Sequence, residues 1–442
     1  MNTSKNGQKV YTFPRGGISF SDNSAPNENS CVTSFLSPWS IIPLKQHTGE
    51  RASPVVPVGE LVKEGSLLAR GKGAGSANIH ATVPGRLVRM VSYKDSGGKL
   101  NDAFVIRMEG SFEKLGKREE VFPWDGMLPY DIQRAIADFG VVEMDGSGKP
   151  VSDIISSFRS KPQPVTLVVR CVFDQPWLAA DYALCKERVA AIAEGAVITS
   201  RTCRVSRIIY AVSHGESAIA QGLMEAGSKW GIPSSIVLVG SRYPQRNHRE
   251  LEIALKAYEK KESIELGSMF VLGPSTLAAV FDAVKKKKPI LERYVAVGGN
   301  AVRKPQVMKV RIGTMVGDLF DQCGGFSGLP KRVAFGSPLL GRRIYNLDEP
   351  VTKTTSAVFA LLNEPGQKIT TNCINCGECR NVCPVGLDPE EFYKEILIDP
   401  VAAKAALSKS RIQECHGCGC CEVVCPSGLP LSTVITKGGS GA

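Results

Sequence analysis

Nine of the chain's 14 cysteines fall between Cys373 and Cys425. The first run reads Cys373-Ile-Asn-Cys376-Gly-Glu-Cys379-Arg-Asn-Val-Cys383-Pro384. The second reads Cys415-His-Gly-Cys418-Gly-Cys420-Cys421-Glu-Val-Val-Cys425-Pro426. Both follow the C-x2-C-x2-C-x3-C-P spacing that holds [4Fe–4S] clusters in bacterial two-cluster ferredoxins. Two-residue gaps let three thiolates wrap one corner of a cube, and Gly377, Gly417 and Gly419 keep the loops tight. In that arrangement the fourth cysteine of each run serves the other run's cluster. Cys373, Cys376, Cys379 and Cys425 are thus expected on one cluster, and Cys415, Cys418, Cys421 and Cys383 on the second. The chemistry is one-electron transfer, which needs no general base or nucleophile, so no catalytic residue is nominated.

Zinc is the competing ligand chemistry, but zinc ribbons use two pairs with a longer gap and no trailing Cys-Pro. Disulfides do not suit a cytosolic chain. Cys420 is out of register and reads as a bystander, and Cys31, Cys171, Cys185, Cys203 and Cys323 read as small buried residues. His416 sits within reach of a cluster sulfur but reads as a loop residue. His47, His80, His214 and His248 show no ligand or catalytic pattern.

The elements that must carry this wire come next. Residues 388–411 have helical composition, opened by Asp388 as N-cap and Pro389 at the first position, with a second helix from about Pro400. The wire is therefore an all-α, helical ferredoxin. Residues 50–95 hold short apolar runs separated by glycines, as in a small biotinyl/lipoyl-type β-barrel. Lys72, in Gly71-Lys72-Gly73, lacks the hairpin setting of a carrier lysine, so the barrel reads as structural. From about residue 163 short β-rich runs (165–169, 206–212, 235–239 and 269–272) alternate with helical stretches at 215–228 and 249–261. That alternation predicts a three-layer α/β domain on a mostly parallel sheet. Strands return at 294–297, 307–312 and 332–335.

A chain of 442 residues with 43% hydrophobic and 22% charged content is a globular protein of several domains. No apolar run reaches the length of a bilayer span, and the N-terminus does not read as a secretory signal. The net charge of +11 and the run Lys285–Lys288 suggest a solvated helix end, or a basic face for an anionic membrane or an acidic electron carrier. No nucleic-acid motif accompanies the charge.

The order of parts resembles RnfC, the C-type component of the Rnf (Rsx) ion-translocating electron-transport complex. The resemblance rests on Phe13-Pro14-Arg15-Gly16-Gly17-Ile18, the barrel, the α/β region, the Val297-Gly298-Gly299 turn, Ala334 to Gly341, Pro350-Val351-Thr352-Lys353 and the two cysteine runs. It implies a multidomain α/β chain. An extension (1–45) would precede a barrel-sandwich domain (46–115) and an α/β domain like the complex I flavin subunit (125–290). A β-grasp-like SLBB insert (291–345) and the helical ferredoxin domain (360–435) would follow. It also implies a peripheral protein on the cytoplasmic side of the inner membrane. Its partners would be integral membrane subunits, an iron–sulfur partner and a ferredoxin- or flavodoxin-type carrier. The activity implied is relay of electrons in ferredoxin/NAD(H) exchange coupled to ion movement; the alternative readings are a soluble flavin/iron–sulfur reductase of the cobalamin-reductase type and a redox-sensing scaffold.

The family also implies FMN and NADH binding through a phosphate loop GxGGAGFPT. Here that stretch is Glu143-Met144-Asp145-Gly146-Ser147-Gly148-Lys149-Pro150-Val151, so two glycines are replaced by carboxylates. A nest of bare N–H groups binds phosphate, and carboxylates there oppose it. Three further family segments also depart, at Arg170–Pro176, Tyr243–His248 and Gly273–Thr276. Together these predict a protein that keeps the clusters and loses ordinary FMN/NADH binding, against the alternative of a divergent pocket that holds nucleotide through other residues.

Overall fold

The computed structural model describes residues 2–3, 9–20, 25–95, 97–113, 115–116, 120–363, 372–398 and 411–439. The helix expected from Pro400 lies outside them.

The barrel is built from two sheets. One pairs Trp39–Pro43, Leu100–Met108, Gly85–Lys94 and Leu61–Val62, and the other pairs Ser53–Pro54, Leu67–Arg70 and Ile79–His80. Ile42, Leu44, Leu68, Ile79, Leu87, Phe104 and Ile106 fill its interior. Its first strand lies inside the segment read from sequence as an extension, because Trp39–Pro43 completes the ladder with Leu100–Met108.

The α/β domain centres on four parallel strands in the order Ser234–Val239, Arg207–Ser213, Val165–Cys171, Ser268–Leu272. The near-continuous apolar runs of its two central strands are what a sheet covered on both faces requires. Helix Ala180–Cys203 crosses one face beside Pro274–Lys285, and a Cβ on Gly195 would collide with the Leu277 carbonyl, so glycine permits the close approach. Tyr11 runs along the sheet's edge, accepting from the Gly240 N–H at 3.0 Å and donating its own N–H to the Leu238 carbonyl at 2.9 Å.

A six-stranded mixed sheet follows: Arg342–Ile344, Arg332–Phe335, Ala357–Leu361, Glu292–Gly298, Gln306–Arg311 and Asn27–Thr33. It reaches beyond the 291–345 segment at both ends, taking one strand from the N-terminal region and one from Ala357–Leu361. Two buried cations tie it to its neighbours. Arg311 meets Glu64 of the barrel at 2.6 Å, and Lys353 Nζ donates to the carbonyls of Asn78 and Gly140 at 2.8 and 2.7 Å. Burial lowers the Lys353 ammonium to about 7.

The lysine run closes helix Pro274–Lys285, and three of its four ammonium groups are paired with carboxylates rather than left to solvent. Lys285 pairs with Glu194 at 2.6 Å, Lys286 with Asp282 at 3.4 Å and Lys288 with Glu292 at 3.8 Å. Lys287 lies over the Phe122 ring. Among the described residues no helix is long and apolar enough to cross a membrane.

Candidate functional site

The two cysteine runs adopt the same local structure, and their sequences explain why. In each, a glycine in the left-handed region (Gly377 at φ 76°, Gly419 at φ 77°) opens a short helix, Glu378–Asn381 or Cys420–Val424. Each run ends in Cys-Pro-x-Gly-Leu. Proline removes one donor, and the glycine turns the chain back (Gly386 at φ 69°, Gly428 at φ 66°). The leucine N–H then points at the last cysteine's sulfur. Leu387 N lies 3.3 Å from Cys383 Sγ, and Leu429 N lies 3.5 Å from Cys425 Sγ.

Two cavities result, and each mixes the runs. Cys373, Cys376 and Cys379 line the first together with Cys425 of the second run. Cys415, Cys418 and Cys421 line the other together with Cys383 of the first run. Cys420, which read as a bystander, is buried and lines that second cavity, as does His416. Helix Pro389–Ile398 supports the first site through Glu390, which accepts from Cys379 Sγ at 2.9 Å and pairs with Arg380. Its Ile396 packs with Ile412 and Ile435.

The cavity containing Cys383 abuts the α/β domain. Tyr243 Oη donates to the Cys418 carbonyl at 2.6 Å, and Arg249 donates to the Glu414 carbonyl at 3.0 Å. His416 Nε2 lies 3.5 Å from a carboxylate oxygen of buried Glu250. The Phe13–Ile18 segment is wedged between. Gly17 N donates to the Val382 carbonyl at 2.8 Å, and a Cβ on Gly16 would overlap the Cys383 backbone. The other cavity has Cys376 and Ile374 exposed at its rim. One site is thus docked and one is presented.

The loop over Glu143–Lys149 closes on itself. Glu143 Oε1 accepts the N–H of Asp145 and Oε2 that of Ser147, both at 2.9 Å. Met144 N donates to Thr276 Oγ1 at 3.0 Å, Gly148 N to the Glu143 carbonyl at 3.1 Å and Glu143 N to the Lys149 carbonyl at 2.7 Å. Gly146 (φ 122°) and Gly148 (φ 67°) supply the backbone angles that only glycine adopts readily.

Asp145 is buried. Arg170 donates to its carboxylate, Arg246 lies 3.6 Å away, and a Cβ on Gly273 would collide with it at the start of helix Pro274–Lys285. Arg246 also pairs with Asp181 at 2.8 Å, and Ser275 Oγ donates to Asp181 at 2.6 Å. Burial alone would raise the Asp181 carboxyl, but Arg246, Ser275 and Arg293 outweigh it and hold it below its ordinary value.

Asp174 behaves in the opposite way. Burial pushes its carboxyl up to about 6, although it accepts the Arg246 N–H at 2.8 Å. With the folded value above the unfolded one, its contribution is full below about pH 4 and is lost as pH rises through about 6. Asp174→Asn keeps the acceptor and removes the ionisation. Urea unfolding from pH 4 to 7 should then show the variant's advantage over the parent growing as pH rises, from near zero at pH 4 to up to about 3 kcal/mol at pH 7.

Similarity to known proteins follows the same layout. The family model "RnfC Barrel sandwich hybrid domain" matches residues 11–111, the SLBB domain 294–341 and the 4Fe-4S dicluster domain 369–429. The C-type component of the ion-translocating oxidoreductase complex of Rhodobacter capsulatus is 32% identical over 361 residues, covering 80% of this chain and 69% of that one. The corresponding component of a proton-translocating ferredoxin:NAD(+) oxidoreductase complex from Clostridium ljungdahlii is 28% identical, covering 85% and 82%. An air-oxidized NAD+-reducing [NiFe]-hydrogenase structure superposes with a TM-score of 0.50 at 16% identity, over 69% of this chain and 60% of that one; the likeness is one of fold. The chain carries a 4Fe-4S dicluster domain and belongs to the RnfC family, the C-type components of ion-translocating oxidoreductase complexes.

Proposed function

We propose that this chain is the electron-relay subunit of an Rnf-type complex that couples ferredoxin/NAD(H) chemistry to ion movement. One observation carries the reading: each cavity is lined by three cysteines of one run and the last cysteine of the other. Cys373, Cys376, Cys379 and Cys425 would hold one [4Fe–4S] cluster, and Cys415, Cys418, Cys421 and Cys383 the second. A bound cluster supplies acceptance and release of one electron at a time. The chain's own contribution is to gather the sulfurs around each cavity and to aim N–H groups at those of Cys383 and Cys425. The Leu387 and Leu429 amides stabilise added negative charge on Cys383 and Cys425, which raises a site's potential.

The presented site suits exchange with an iron–sulfur partner or a ferredoxin- or flavodoxin-type carrier. The docked site lies toward the α/β domain. The chain would sit peripherally on the cytoplasmic side of the membrane, held by integral membrane subunits. The Glu143–Lys149 loop does not suit the phosphate of FMN or NADH, because its Met144, Asp145, Ser147 and Gly148 N–H groups are already bonded and a carboxylate occupies the arginine pair.

Anaerobic purification with iron, sulfide and flavin quantified together tests this. About eight irons, about eight sulfides and no flavin are expected, with integral membrane proteins retained in a mild-detergent pull-down. Stoichiometric FMN would overturn the flavin-free relay and assign NADH oxidation to the chain itself.

A further inference from the structure

We propose that the Glu143–Gly148 loop is an anion cradle filled by the chain's own carboxylates, which supply internally the negative charge that a bound phosphoryl group would bring. The inference rests on the flavin-free reading above and adds what occupies the place.

Four segments distant in sequence meet here. They are the loop itself, Arg170 on the strand Val165–Cys171, Arg246 beyond the edge strand, and Gly273-Pro274-Ser275-Thr276 opening a twelve-residue helix. Each contributes a contact to one point. Arg170 and Arg246 face the Asp145 carboxylate, Gly273 lies against it without a Cβ, and Thr276 takes the Met144 N–H. A helix N-terminus flanked by two guanidinium groups is a place for an anion. The anion present is Asp145, with only 2% of its side chain exposed.

Glu143 plays the second part. Successive loop N–H groups form a nest when they converge on a common acceptor. Here the Asp145 and Ser147 amides converge on the two oxygens of Glu143, as they would on two oxygens of one phosphoryl group. Random decay of a binding loop would leave the arginines unpaired or the amides bare. Instead Asp145 faces both arginines and Glu143 accepts the Asp145 and Ser147 amides, the two carboxylates standing two residues apart. Arg293, buried and with its Nη1 unpartnered, adds positive charge that acts on Asp181, Asp145 and Glu143. The cradle is therefore matched to a filled state.

Full-length, cluster-loaded protein is compared as parent, Asp145→Gly and Glu143→Gly. Inorganic phosphate and FMN are the probes, with sodium chloride at matched ionic strength as control. The readouts are tryptophan-monitored unfolding and titration calorimetry. The parent midpoint should not respond to phosphate. Asp145→Gly should unfold several degrees lower, and millimolar phosphate should restore most of that loss by binding only the folded variant. A parent that binds phosphate or FMN in a one-to-one complex overturns the proposal. So does an Asp145→Gly protein that phosphate stabilises no more than chloride does.

Should Asp145→Gly not accumulate, Glu143→Gln provides the second arm. Exchange of one of the two amide protons, that of Asp145 or that of Ser147, should accelerate at least about tenfold, since one of the two carboxylate oxygens is replaced by an NH2 group that cannot accept. Unchanged exchange rates overturn the proposal. Iron and cluster spectra recorded on the same samples separate its failure from failure of the relay reading.

Discussion

Cys383→Ala is expected to abolish the cluster of the second cysteine run and to spare the cluster of its own run. Cys383 lines the cavity of Cys415, Cys418 and Cys421, and its backbone is clamped there by the Gly16–Gly17 turn. Removing one thiolate of four leaves an iron without its ligand, so iron should fall from about eight to about four per chain. Cys425→Ala should empty the other cavity, where Cys425 stands beside Cys373, Cys376 and Cys379. The test is a comparison of residual electron paramagnetic resonance spectra after reduction. Cys383→Ala should match Cys415→Ala, and Cys425→Ala should match Cys376→Ala. The reverse grouping, with Cys383→Ala matching Cys376→Ala, would mean that each run ligates its own cluster. Either variant should also interrupt electron flow between donor and acceptor in the assembled complex.

The grouping of the cysteines around two cavities was legible because most of each group is spaced locally. Three of each four lie within seven residues, and the Cys-Pro ending marks the fourth. Cys420 and His416 were not legible, because their place depends on how the loops close. Gly419 opens a short helix that turns Cys420 inward, and Glu250, far away in sequence, comes up to His416. The parallel strands announced themselves as apolar runs. The long helix Ala180–Cys203 did not, since it is buried around much of its circumference and so lacks an amphipathic stripe. The strand Asn27–Thr33 was hidden for a related reason. Its sequence, NENSCVT, has no alternation of apolar residues, and its pairing with Gln306–Arg311 comes from the fold.

The four departures from the family's nucleotide segments show the same limit. Read along the chain, Glu143 and Asp145 are two negative charges on a loop that should have none. Arg170 and Arg246 are unrelated losses elsewhere. Only the fold brings them into ion-pairing range, turning apparent repulsion into a closed set of contacts. Sequence spacing carries no information about pairs separated by 25 and 101 residues.

Arg246→Met should be among the most damaging single changes outside the cysteine runs. The guanidinium meets Asp181 at 2.8 Å and Asp145 at 3.6 Å, and its side chain is 14% exposed. Methionine fills much of the volume but removes the charge that both carboxylates face. Breaking a buried pair by deleting one partner typically costs about 3–5 kcal/mol, because the survivor stays desolvated. Arg170 continues to serve Asp145. The heavier loss is at Asp181, which keeps only Ser275 as a hydrogen-bond partner, with Arg293 acting at longer range. Urea unfolding followed by the fluorescence of Trp124, Trp177 and Trp230, which lie in or against the α/β core, should report it. The deficit should depend on pH in a fixed direction. Asp181 is held below its ordinary value in the parent, so its contribution is present above about pH 4 and is lost as pH falls through the folded value. Parent and variant should therefore converge toward acid and separate toward neutrality. A deficit that stays constant from pH 3 to pH 7 would trace the damage to lost packing, leaving the ion pair without a role in stability.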